Sequence, residues 1–218
     1  MRGVEQTEQE LSAVEGRSAQ KRRAILGAAR EVFLESGYAS ASMDDIAAIA
    51  VVSKVTVYKH FADKRTLFIA VVTGAIKEAE ESSQSLVGSL ATSVDVEKDL
   101  RDFARQHIVL VTQPHLVQMR RMIIGEANRF PELARTWHHA GPERGHAKLA
   151  DQIEQLARRG LLQVADPLLA AQHLNYLILS VPVNEAMFRS RGKPYSRRQL
   201  QRYADEAVRV FMAAYERR

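Results

Sequence analysis

The chain has 218 residues, no cysteine, a formal net charge of +5 and a sequence pI of about 9.6. The missing cysteines exclude disulfides, thiolate nucleophiles and Cys-ligated zinc. No apolar run approaches the roughly 18 to 20 residues of a membrane-spanning helix, so no membrane partner is expected. Basic charge suits a polyanion, but it lies at both ends. Between Arg17 and Lys64 eight basic side chains oppose five acidic ones, and Arg189 to Arg218 is more basic still. Charge alone therefore does not select the binding end.

Residues 1–17 carry Glu5, Glu8, Glu10 and Glu15 with no apolar stretch. They read as a disordered acidic tail rather than a signal peptide. The rest reads as all-α, with nine helices. The first runs from Ser18 to Ser36, with Ile25, Ala29, Val32 and Phe33 as its apolar stripe and Gly37 as its stop. Ser42 opens a second helix, with Ile46, Ile49 and Ala50 expected on its buried face. Ser53 caps a third over Lys54 to Phe61, and Asp63 caps a fourth from Lys64 to about Ser82.

The Ser/Thr/Gly-rich segment 82–95 is expected to be a loop or a frayed helix end, followed by a fifth helix to about Thr112. Pro114 and Pro131 each stand at the start of a helix, and Gly141-Pro142 should break or kink the seventh. Leu149, Ile153, Leu156 and Ala157 form one face as far as Arg159. Asp166-Pro167 opens the eighth helix, 191–194 forms a loop, and Ser196 caps the ninth. The expected domains are a DNA-binding unit over 18–64 and a larger helical body over 65–218.

Two short helices, Met43 to Ala50 and Lys54 to Phe61, joined by about three residues have helix-turn-helix spacing. The second would enter a major groove by its N-terminal turn. Lys54 then donates to guanine, while Val55 and the methyl of Thr56 meet a thymine methyl. Tyr58, Lys59, His60 and Lys64 are placed for phosphates, which fix register rather than sequence. Ser42 and the start of its helix offer another anion site. Arg17 and Lys21 reach backbone or minor groove. On spacing alone, a plain three-helix bundle with solvated charges remains the alternative.

The stretch Ser-Lys-x-Thr-Val-Tyr-Lys-His-Phe over Ser53 to Phe61, within Ser42 to Phe68, resembles the TetR family of bacterial regulators. The likeness covers about fifty residues from the first helix to the start of the fourth. Arg121 to Ala134, with Ala140 to Arg144, resembles a common C-terminal subtype of that family. The resemblance implies an all-helical homodimer on double-stranded operator DNA. A small-molecule effector in the body usually relieves repression, and the setting is the bacterial cytoplasm. In this chain Val51 stands in the turn where the family pattern usually has Gly, and Val55 where Gly is frequent in the recognition helix. A left-handed Val would cost roughly 1–2 kcal/mol.

The resemblance places dimerisation on the last two helices. Candidates there are Leu174, Ile178 and Val181 on one, and Tyr203, Val210, Phe211 and Ala214 on the other. The same stripes could instead be core within one chain. Effector-pocket candidates are His107, Met119, Met122, Glu126, Trp137, Asn175 and Tyr176, with Arg120 beside them. His138, His139 and His146 lack convincing metal-ligand spacing, so no metal or cofactor is expected. No phosphate loop, nucleophile elbow or paired carboxylates stand out. A ligand-responsive DNA-binding repressor is therefore expected. An all-helical enzyme, or a related module that has lost operator binding, are the alternatives.

Overall fold

The computed structural model describes the backbone of residues 2–87, 90–189 and 195–216, and the side chains of 16–78, 90–189 and 195–216. The chain forms two compact units, Met1–Gly74 and Ala75–Arg218. Among the described residues there is no strand beyond one isolated bridge, Leu162 to Glu216. None of their helices is long and apolar enough to cross a membrane.

The first unit holds α1 (Arg2–Ser40), α2 (Met43–Ile49), α3 (Lys54–His60) and the start of α4 (Lys64–Val87). Helical backbone in α1 reaches back to Arg2, through the stretch expected to be disordered. Glu, Gln, Leu and Ala there are good helix formers, and no Pro interrupts them. Gly37 breaks α1 at φ 74 and ψ 167, a backbone that favours glycine. Ile25, Ala29, Val32 and Phe33 are buried as their spacing requires. On α2 the buried residues are Met43, Ile46 and Ala47, whereas Ile49 is 44% exposed. That corrects the expected face, since positions i, i+3 and i+4 already fill the core side of so short a helix.

The unit boundary falls beyond the expected Lys64, because α4 contributes buried Leu67, Phe68, Val71 and Val72 to this core. Phe68 packs edge-on to Phe33 at 5.2 Å and against Tyr38 at 4.8 Å. Such pairs add to simple burial.

The second unit continues from α4, which is helical to Val87, so the first part of the segment expected as a loop or frayed helix end is a helix end. After a 3-10 turn at Leu90–Thr92 come α5 (Val96–Val111), α6 (Pro114–Gly125) and α7 (Pro131–His138). A π-helical turn over His139–Glu143 then leads into α8 (Arg144–Arg158). The expected break at Gly141-Pro142 is thus a π turn inside one helical stretch; counted so, the helices number nine among the described residues. The helices α9 (Pro167–Phe188) and α10 (Arg197–Tyr215) complete the unit. Asp166 caps α9 through the Leu169 N–H, and Ser196 forms a full capping box with Gln199. The loop expected at 191–194 lies outside the described residues.

The core of this unit is drawn from α5, α8, α9 and α10. Leu174, Ile178 and Phe211 are fully buried in it, which corrects their assignment to a dimer surface. Their stripes face neighbouring helices of the same chain. Tyr203 is partly buried beside Tyr195, at 5.7 Å. Val181, Val210 and Ala214 stay on the surface. Around Val181, α9 shows an outward face of Leu169, Tyr176, Leu177 and Phe188. This helix is apolar on two sides, so periodicity alone could not say which side the core takes. Arg105 forks onto Asp205 at 2.7 and 2.9 Å and ties α5 to α10.

Candidate nucleic-acid interface and internal cavity

The turn between α2 and α3 is built from its caps. The Ser42 hydroxyl oxygen accepts from the Asp45 N–H at 3.1 Å, and its proton goes to the Asp45 carboxylate at 2.6 Å. Ser53 accepts from the Thr56 N–H at 3.2 Å and shares a 2.8 Å hydroxyl hydrogen bond with Thr56. Between them the end of α2 closes as a Schellman motif. The Val52 N–H bonds the Ala47 carbonyl at 3.1 Å, and the Val51 N–H bonds that of Ala48 at 3.2 Å. Val51 takes φ 53, the left-handed conformation that glycine adopts without strain. Its side chain is 89% exposed.

On α3 only Val57 is buried. Lys54, Val55, Tyr58 and Lys59 are exposed, and Thr56 and His60 are half-buried. Lys54 Nζ sits 2.8 Å from the Asp44 carboxylate, which raises the lysine's pKa by a hydrogen bond and by charge. Both partners are well exposed, so water screens the pair and a phosphate or base can exchange for it at little cost.

Lys64 stands differently from the surface cations. Its ammonium donates to the carbonyls of Ala39 at 3.0 Å and Ala41 at 2.8 Å, and lies 4.8 Å from the Tyr38 ring centroid. Two of its three protons are engaged in closing the α1–α2 connection, leaving one for a phosphate. Arg17 and Lys21 are exposed on α1, and Arg22 lies over the Phe61 ring at 5.2 Å.

The second unit holds a partly open cavity of about 140 Å³. Of the expected lining residues, His107, Trp137 and Asn175 face it, together with Arg120. Met119 is fully buried elsewhere, Met122 and Glu126 do not line the cavity, and Tyr176 is 57% exposed on the outside of α9. The reason is helical phase. Leu116 and Arg120, four apart on α6, share the cavity side, and Met119 lies about 100° away. Tyr176 is displaced in the same way from Asn175. Sequence reasoning weighed His146 only as a metal ligand, yet it lines the cavity with Gly141, Pro142 and Gly145. The Gly-Pro-x-x-Gly spacing was the available signal. Small residues and a π turn open space in a helical wall.

His107 Nε2 lies 3.0 Å from the Asn175 side-chain oxygen, and its ring stacks on Phe103 at 5.3 Å. Burial holds the His107 pKa below its ordinary value; the Asn175 bond opposes this, and the neighbouring His146 and Arg120 reinforce it. Burial also lowers His146 and Arg120. His138 and His139 each place Nδ1 2.8 Å from the Glu143 carboxylate, across the π turn. No group of three or more His, Cys, Asp or Glu among the described residues is set to hold a metal ion.

These features have close counterparts. Residues 25–71 match the family of bacterial regulatory proteins, tetR family, and residues 98–217 match the C-terminal domain of AefR-like transcriptional repressors. A crystal structure from Mesorhizobium loti MAFF303099, described as a TetR-family transcriptional regulator, is 41% identical. That alignment covers 92% of this chain and 98% of the other, with a TM-score of 0.83. The flavonoid-responsive regulator FrrA is 28% identical over 92% of this chain and 99% of its own, with a TM-score of 0.66.

The HTH-type transcriptional activator FasR of Mycolicibacterium smegmatis is 37% identical over 82 residues, 38% of this chain. The aligned part spans 36% of FasR's own length. The chain belongs to the TetR family, whose members are DNA-binding transcriptional regulators and not enzymes.

Proposed function

We propose that this chain acts as a homodimer that binds a palindromic operator and represses until a small molecule enters the cavity of the second unit. The observation that carries the reading is the exposed first turn of α3. Ser53 caps it and Lys54 and Val55 project from it, within a segment that matches the family. One such helix reads few bases, so two copies are needed, with recognition helices about 34–36 Å apart on the duplex. The outward apolar face of α9, with Val210 and Ala214 of α10, supports a two-fold pairing of these helices.

Support for an effector comes from the cavity and from FrrA, which is named for its response to flavonoids. Ile76 of α4 lines the cavity, and the same helix begins at Lys64, beside α3 in sequence. A ligand that prefers one setting of α4 would bias operator affinity by its differential affinity for the two forms, and by no more than that.

Gel shifts with genomic fragments test the reading. A specific complex that weakens as salt rises is expected; its absence at every salt concentration rejects operator binding. FasR is named an activator, which favours a second reading of the same DNA binding. A reporter behind the bound fragment separates the two. Deleting the gene raises expression for a repressor and lowers it for an activator.

A further inference from the structure

Three helices of the second unit each bring one basic or proton-donating side chain to the cavity, and no carboxylate is among the residues that line it. Arg120 comes from α6, His107 from α5 and His146 from α8. Several other arginines of this unit are matched. Arg105 meets Asp205, Arg121 bonds the carbonyls of Ala186 and Arg189, and Arg159 bonds those of Ala91 and Ser93. Arg120 is partly buried, and among the described residues it has no hydrogen-bond or ion-pair partner. Desolvating a guanidinium without a counter-ion is unfavourable, so a fold keeps one for a reason.

His146 adds an independent sign. It is only 7% exposed and its Nε2 is buried without a hydrogen bond. The ionisable groups of the wall are thus Arg120, His107 and His146, with Tyr176, His138 and Glu143 the nearest outside it.

Apart from Asn175, which pairs with His107, the remaining wall is apolar, with Ile76, Phe103, Leu110, Leu116 and Leu179. One arginine beside two histidines whose charging is disfavoured by burial balances a single negative charge, so the wall suits a monoanion with a hydrophobic body. The volume of about 140 Å³ is close to the roughly 150 Å³ of an apolar cavity that holds one benzene ring. It lies below the roughly 300–1,000 Å³ of pockets that take drug-sized ligands.

We propose that the effector is a single-ring organic acid, its carboxylate forked by Arg120 and its ring held among Phe103, Trp137 and Leu179. The fork geometry matches a carboxylate with two parallel N–H···O bonds. This rests on the reading of the cavity as the effector site.

Trp137 lines the cavity and is the only tryptophan in the chain, so its fluorescence reports occupancy. Full-length protein is titrated with benzoate and with its neutral isostere benzamide. Benzoate is expected to change the emission saturably and to bind roughly ten- to a hundredfold tighter than benzamide. Arg120→Met should erase that preference, lowering benzoate affinity far more than that of benzamide, whose carbonyl accepts only an uncharged share of the same contact. Arg120→Lys, which keeps the charge, should retain part of it and guards against a folding defect in the first variant.

Equal affinity for the two compounds in the wild type, or an undiminished preference in Arg120→Met, overturns the assignment. So does a failure of both to bind. In that last case a larger molecule that still releases DNA in the gel shift would leave the effector reading standing. If no molecule did so, that reading would fall as well.

Discussion

The helices α2 and α8 end in the same hydrogen-bond pattern, one in the DNA-reading unit and one in the helical body. In the body, the Leu161 N–H bonds the Leu156 carbonyl at 3.0 Å and the Gly160 N–H bonds Ala157 at 2.9 Å, with Gly160 at φ 75. The pattern at Val51 is identical, at φ 53. The body fills its left-handed position with the residue that adopts it freely. The reading unit fills its own with a β-branched side chain displayed to solvent, at a cost of roughly 1–2 kcal/mol.

The cations divide along the same line. Lys54 is exposed and paired with a partner it can leave, whereas Arg120 is half-buried with none among the described residues. Strain and charge sit on the surface in the unit that meets a large partner. The second unit leaves its helix end unstrained and keeps the unmatched Arg120 half-buried in a cavity wall.

The largest expected effect separates core from surface on α10. Phe211→Ala should cost about 3–5 kcal/mol of stability, because Phe211 is fully buried. Its neighbour Val210, 41% exposed, tolerates Asp within about 0.5 kcal/mol. On the proposed dimer surface, Val210→Asp should instead lower the sedimenting mass to that of one chain. A melting curve as damaged as that of Phe211→Ala would show that the outward face is not outward.

Lys64→Ala comes next. It removes two hydrogen bonds from a charged donor and a cation–π contact, and should destabilise the first unit by about 1–3 kcal/mol in a denaturant titration. It should weaken every DNA sequence alike, whereas Lys54→Ala should relax preference at one base position. A fully stable Lys64→Ala protein would return Lys64 to the role of a simple phosphate contact.

Val51→Gly sharpens the comparison of the two helix ends. Release of the strain, less the roughly 0.5–1 kcal/mol that glycine's extra freedom costs, leaves an expected gain of about 0.5–1 kcal/mol. A lowered melting temperature would contradict the left-handed reading.

The mildest effect is a slope with pH. Burial depresses the pKa of both His107 and His146 in the folded chain. Their neutral forms therefore contribute stability that is fully present above the ordinary histidine value near 6.5. That stability is lost as pH falls below this value toward the depressed pKa. Melting temperatures measured between about pH 7.5 and 5 should decline, and His107→Gln should flatten part of the decline. A rise on acidification would have the wrong sign.

The first unit was legible because its signals are contiguous. The serines at 42 and 53 cap their helices, the α1 stripe is buried, and the left-handed demand at Val51 follows from its place in the turn. What escaped there was tertiary. Nothing local says that Lys64 reaches back to Ala39 and Ala41, or that Ile49 faces water. In the body the cavity wall is assembled from six helices and a π turn, so its members are scattered in sequence. Large polar or aromatic residues such as His107, Arg120, Trp137 and Asn175 could be nominated. Met119 and Tyr176 could not be told from them without helical phase. The two-sided apolarity of α9 hid the core status of Leu174 and Ile178 for the same reason.

The most direct test of the account is a footprint of the full-length protein on its bound genomic fragment, taken with and without the effector. The account predicts two protected half-sites centred about one helical turn or a multiple apart, related by a two-fold axis, with protection lost as salt rises or effector is added. A single protected half-site, or protection indifferent to both salt and sequence, would contradict it.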